Sequence, residues 1–167
     1  MSITGGTVRN CNQKITGGTM TIYLTDAANV DSVVLGAAGE VTTVNMVASA
    51  VFYKFEFERD TGQFDENVTN DNAALYEQTL AFILKGRSQE FRNRIQELID
   101  CQCGIAVIHT ENTGTSWIWG YKETEEAYAT GNEGTSGAAK GDANQETVTL
   151  TATATEKART FTGTVPV

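Results

Sequence analysis

Three cysteines and one histidine are the residues of this 167-residue chain whose types could together bind a metal ion. Cys11, Cys101, Cys103 and His109 would supply the four ligands of a structural zinc site. Such sites use cysteine pairs separated by two to four residues, whereas one residue separates Cys101 from Cys103. Cys101 ends an apolar helical segment and Cys103 opens an apolar strand, where cysteine commonly serves as a small hydrophobic residue. We therefore predict no metal site and no bound cofactor.

His109 is the only histidine, so any Ser-His-Asp or Cys-His arrangement would have to use it. It ends a strand-like segment beside a turn, and no Gly-x-Ser-x-Gly elbow is present to hold a nucleophile. We interpret His109 as a surface or turn-capping residue. The glycine-rich segment 134–141 does not match a phosphate-binding loop, because that loop needs Gly-Lys followed by Ser or Thr, and here Lys140 precedes Gly141. The sequence therefore predicts no catalytic residues and no enzyme.

The charge balance argues against specific binding of nucleic acid. Asp and Glu number 21, Lys and Arg number 12, and the net charge of −9 would repel a phosphate backbone. No apolar run approaches the roughly 20 residues that a membrane-spanning helix needs. The first residues lack the basic and apolar regions of a secretion signal, and three cysteines are an odd number, so we expect reduced thiols in a cytosol.

One amphipathic helix is predicted. Ser88 is suited to cap it, and Phe91, Ile95, Leu98 and Ile99 recur at the spacing of one helical face. We expect a helix from Ser88 to about Asp100 with these four apolar residues in the core.

Alternating residues predict strands on both sides of the helix. The alternation is clearest over Val51–Arg59, where Tyr53, Phe55 and Phe57 should pack inward and Lys54, Glu56 and Glu58 should face water. Further strands are expected over these segments: Thr19–Thr25, Leu75–Lys85, Ile105–Ile108, Ser116–Tyr121 and Glu146–Thr155. With 25 threonines, 16 glycines and one proline, residues 1–167 predict one mainly β domain. The elements follow one another in the order strands, one helix, further strands. This order indicates an antiparallel β-sandwich or partly closed barrel with the helix packed on it.

Three segments carry no clear pattern. An irregular N-terminal arm covers about residues 1–18, and loose loops cover about 60–72 and 123–142. Long loops in compact domains commonly carry a function. We therefore select five residues as candidates for contacts between subunits: Gly62, Phe64, Asp65, Gly134 and Gly137.

The order of these features resembles the tail tube and related structural proteins of tailed bacteriophages. The similarity is best over residues 60–155 and rests on these segments in this order: Tyr76–Leu84, the helix ending Ile95–Ile99, Ile105–His109, Glu111–Gly114, Trp117–Gly120, Gly141–Asn144 and Thr147–Ala152. The resemblance implies hexameric rings of β-sandwich subunits that stack into a hollow tube, with an extended loop contacting the next ring. It also implies a virion tail protein, assembled in the host bacterial cytoplasm, that contacts itself and other tail or connector proteins.

An acidic chain suits a conduit through which DNA passes without specific binding. Lys54, Glu56 and Glu58 are the candidates for a row that faces the lumen, although alternation alone does not separate an inner wall from an outer one. A head–tail connector, tail terminator or capsid decoration protein is an alternative of the same class. An alternative of another class is a carbohydrate-binding or adhesin module in which Trp117 and Trp119 face sugar.

Overall fold

The described part of the protein is a mainly β, two-sheet sandwich with one α-helix. The computed structural model describes residues 17–70 and 74–167, so most of the predicted N-terminal arm, with Cys11, lies outside the described residues. The strands are β1 (Thr19–Asp26), β2 (Val30–Leu35), β3 (Val41–Met46), β4 (Tyr53–Phe55), β5 (Gln63–Asn70), β6 (Ala74–Lys85), β7 (Ile105–Glu111), β8 (Ser116–Trp119), β9 (Tyr128–Thr135), β10 (Gln145–Ala154) and β11 (Arg159–Phe161). Helix α1 spans Gln89–Asp100, and a short 3₁₀ turn, Ala27–Asn29, joins β1 to β2.

The strands form a larger and a smaller sheet, neither of which closes into a barrel. The larger sheet has seven strands in the order β2-β3-β11-β8-β7-β1-β4, and the smaller sheet has four in the order β5-β6-β10-β9. All pairs are antiparallel except β3 with β11. Among the described residues, the edges are therefore β2 and β4 in the larger sheet and β5 and β9 in the smaller one.

The main core lies between the two sheets. Alternate residues of β6 and β10 face it, with Leu80, Phe82, Val148 and Leu150 at most 1% exposed. The predicted inward face of β10 is thereby confirmed. Both strands bury only alternate residues because they lie in the middle of a sheet whose other face contacts solvent.

A second core lies on the opposite face of the larger sheet. Val41 and Val44 of β3 pack there with Ile108 of β7 and Ile118 of β8. β3 is separated from β7 by two strands in the sheet order, and Phe161 of the intervening β11 belongs to the same cluster. β11, which closes the gap between β3 and β8, was not predicted, because its three residues are too few for a period.

The predicted helix is confirmed within one residue. The Phe91 amide donates to the Ser88 hydroxyl at 3.1 Å, and this bond caps the first turn. Ile95 and Leu98 are buried in the main core and Phe91 packs against it, but Ile99 is 46% exposed, so its assignment to the core is wrong. In residues 17–70 and 74–167, no helix is long and apolar enough to cross a membrane.

Three of the predicted segments are corrected by the structure. The strand expected over Val51–Arg59 is limited to the three residues of β4, and Tyr53 points to solvent, 65% exposed. The expected loop at 60–72 contains β5, and the expected loop at 123–142 contains β9. Both strands lie at sheet edges, where one side needs no partner and polar residues are tolerated on both faces.

Candidate assembly surfaces

The edge strands carry exposed apolar side chains. β2 exposes Val34 (47%) and Leu35 (49%), β4 exposes Tyr53 (65%), β5 exposes Val68 (55%) and β9 exposes Tyr128 (41%). Proteins commonly protect such edges with charges, prolines or bulges, because an open edge presents unpaired backbone N–H and C=O groups. Part of that protection is present here: the pairing of β2 with β3 has two irregularities in register, β4 carries Lys54 and β5 carries Asp65. The exposed apolar residues were not among the predicted contact candidates, since edge position is a property of the sheet order and not of local sequence.

The five predicted contact candidates occupy different environments. Gly62 is buried, and its carbonyl accepts from the Thr19 amide at 2.8 Å. Phe64 points into the main core, where its ring centroid lies 4.4 Å from that of His109. Gly62 is therefore covered within the subunit and Phe64 is partly covered, and their role in contacts between subunits stays a prediction. Asp65 and Gly134 are exposed on the edge strands β5 and β9, and Gly137 is half-exposed in the turn after β9 with φ +69°.

The predicted lumen residues lie at or beyond the β4 edge. Lys54 and Glu56 form an exposed ion pair at 3.2 Å, and Glu58 faces Lys85 at 3.7 Å. β4 ends at Phe55, so Glu56 and Glu58 lie beyond the strand. Their orientation toward a lumen stays a prediction.

A cleft of about 430 Å³ separates helix α1 from edge strand β9. At its base lies Glu146, whose side chain is 4% exposed; its Oε1 is 2.9 Å from Arg87 Nε and 3.9 Å from Arg92 Nη1. Asn132 of β9 donates to the other carboxylate oxygen at 3.3 Å. A Cβ on Gly134 would lie 2.5 Å from Glu146 Oε2, so glycine leaves room for this carboxylate. Two guanidinium groups and one carboxylate therefore line the cleft.

His109 is buried, which corrects its interpretation as a surface or turn-capping residue. Trp119 donates its indole N–H to His109 Nδ1 at 3.1 Å, so the neutral ring carries its proton on Nε2. Burial without a charged partner lowers the pKa of His109 to about 4. Trp119 itself is 2% exposed, so the two tryptophans do not form an exposed platform for sugar.

The cysteines do not assemble a metal site within the described residues. Cys101 is half-buried, and its Sγ lies 3.2 Å from both Asp26 Oδ1 and the Gly104 carbonyl oxygen. Burial raises the pKa of this thiol to about 11, with a further contribution from its bond to Asp26. Cys103 is exposed, which corrects its interpretation as a core residue. No group of three or more His, Cys, Asp or Glu residues in the described ranges could hold a metal ion.

Comparisons of the chain with protein-family models, with curated proteins and with solved structures find no match.

Proposed function

We propose that this chain is a non-enzymatic structural subunit of a virion, which assembles into rings that stack into a hollow tail tube for DNA. The proposal is supported chiefly by one observation: all four edge strands carry exposed apolar side chains. Such edges favour strand pairing between copies, which buries the apolar residues and satisfies the open backbone groups. We infer the ring and the tube from the resemblance in element order to phage tail tube proteins.

The larger sheet is suited to form the contact between neighbouring copies within a ring. Its two edges, β2 and β4, lie at opposite ends of a seven-strand order. If β2 of one copy pairs with β4 of the next, each contact uses two different surfaces, and such head-to-tail contacts close into a ring at a fixed rotation. The joined sheets then form a continuous wall around the bore.

The net charge supports a conduit for DNA. The chain carries −9, and the repeat of this charge around a ring multiplies the negative field in the bore. DNA then passes without specific binding, since the wall repels its phosphates. Other tail or connector proteins would meet the two ends of the tube.

The ring joint is tested by placing a charge on the β2 edge. Val34→Lys puts an ammonium group on the strand that should pair, and we expect single copies in sedimentation velocity and no rings in negative-stain electron microscopy. Met20→Lys is the matched control, because Met20 is 57% exposed but lies on β1, an interior strand of the same sheet. It should assemble like the parent chain. A parent chain that stays single at all concentrations would contradict the proposed function.

A further inference from the structure

A polar side chain is buried at the start of the inward row of strand β6. Leu80, Phe82 and Leu84 make this row apolar, and Gln78 precedes them although it is only 1% exposed. A buried amide is compatible with a stable fold when its oxygen and its nitrogen both form hydrogen bonds. The partners of each atom of the Gln78 amide are therefore the quantity to examine.

The nitrogen of the Gln78 amide is fully used. Nε2 donates to Glu66 Oε1 at 3.0 Å and to the Glu156 carbonyl oxygen at 3.2 Å. Both partners are acceptors, so turning the amide over would place its oxygen against two other oxygens. The surroundings thus fix the orientation of the amide and direct Oε1 away from these two partners.

The oxygen of the same amide is buried and accepts no hydrogen bond from any of the described residues. Three cationic side chains lie close to it in the wall of a small pocket that Gln78 also lines. Two of them, Lys122 and Arg159, donate to the Glu156 carboxylate. An acceptor that is left unpaired in the interior destabilises the fold, so Oε1 requires a donor.

The pocket beside Gln78 has the size of one water molecule. Its volume is about 20 Å³, and a site of roughly 10–15 Å³ already holds one water. A bound water also needs further polar partners, usually two to four in all. The carboxylates of Glu125 and Glu156 lie in the wall and are able to accept its second hydrogen.

We propose that this pocket is a binding site for one water molecule that donates to Gln78 Oε1. The bound molecule is a donor, because the atom that it satisfies is an acceptor, and the volume admits nothing much larger than water. It joins β6 of the smaller sheet to residues 155–158, the link from β10 to β11 of the larger sheet. The site does not depend on the proposed function, since one copy of the chain contains all of its walls.

Filling the pocket tests the site in solution. Oxygen-17 magnetic relaxation dispersion counts the water molecules that stay bound while the protein tumbles. Ala154 is 5% exposed and lines the pocket, so Ala154→Val should hold one long-lived water fewer than the parent. Ala152→Val is the matched control, because Ala152 lies two residues earlier in the same inward row, is 3% exposed and is not among the pocket-lining residues. It should keep the count of the parent, and thermal melting checks that both variants are folded.

A crystal structure of the parent chain tests the site without any substitution. We expect an ordered water oxygen at about 2.5–3.0 Å from Gln78 Oε1. The third cation of the wall, Lys157, is the competing donor, because its side chain is 67% exposed and lies 4.0 Å from Glu66 Oε2. A Lys157 ammonium group bound to Oε1, or a pocket without water, would overturn the proposal. Equal counts of long-lived water in the parent and in folded Ala154→Val would overturn it as well.

Discussion

At the scale of single residues, the buried His109 couples the stability of the fold to pH. Its Nδ1 accepts the Trp119 indole N–H, while its Nε2 is buried without a hydrogen-bond partner among the described residues. The Phe64 ring lies at 4.4 Å and excludes water from this face of the imidazole. A proton on Nδ1 would remove the acceptor of the Trp119 bond and place a charge in the main core.

Acid should therefore destabilise the fold through His109. The ordinary histidine pKa of 6.5 applies to the unfolded chain, and the folded pKa is about 4, so between these values only the unfolded chain binds the proton. The free energy of unfolding falls as the pH drops from 6.5 toward 4, by about 3 kcal/mol in total. Urea unfolding at pH 7.5 and 4.5 should show a larger loss for the parent than for His109→Gln, which keeps an acceptor for Trp119. Equal losses would contradict the buried, neutral state.

The environments of Glu146 and His109 could not be predicted from local sequence. Arg87 and Glu146 are 59 positions apart, and no period links them. His109 was interpreted as a surface residue because it follows an apolar run and precedes a turn. The structure buries it because β7 is an inner strand of the larger sheet, flanked by β1 and β8, and only the sheet order reveals this.

At the scale of elements, the apolar residues of α1 lie in two different environments. Ile95 is 3% exposed and packs in the main core, whereas Ile99 is 46% exposed beside the cleft. Spacing alone assigns both to one face, because they are four residues apart. The packing of the helix on the sandwich covers Ile95 within the main core and leaves Ile99 outside it.

The two isoleucines should therefore differ in their contribution to stability. Ile95→Ala leaves a cavity in the main core and should cost about 2–5 kcal/mol of unfolding free energy. Ile99→Ala removes mostly exposed surface and should cost less than about 1 kcal/mol. Urea unfolding of both single variants measures the difference. Similar costs would mean that Ile99 belongs to the core after all.

The strands that sequence predicted well are those with a regular partner on each side. β10 lies between β6 and β9 and alternates buried and more exposed residues along its length, so its period is clear. β5 lies in the segment 60–72, which was interpreted as a loop because it is polar and carries no clear pattern, and its inward positions include Glu66. The fold tolerates this carboxylate because it accepts two hydrogen bonds, one from the Gln78 side-chain amide at 3.0 Å and one from the Ala158 backbone amide at 2.6 Å. A polar side chain at an inward position interrupts the apolar alternation that identifies a strand. The fold can still accept it when residues distant in sequence supply its hydrogen bonds.

At the scale of the whole molecule, the proposed ring joint would combine two kinds of contact. Pairing of β2 with β4 of the next copy would add backbone hydrogen bonds to apolar contacts made by side chains such as Val34 and Tyr53. Neither kind of contact depends on opposite charges, whereas the net charge of −9 on every copy makes neighbouring copies repel one another.

Salt should therefore strengthen the proposed ring. The screening length falls from about 10 Å at 0.1 M to about 3 Å at 1 M salt, so the repulsion between acidic copies weakens. Backbone pairing and apolar contacts are not weakened in this way. Sedimentation velocity should show rings that form at a lower protein concentration in 1 M NaCl than in 0.1 M NaCl, and Val34→Lys should stay single in both. Rings that come apart at 1 M NaCl would show that opposite charges hold the joint.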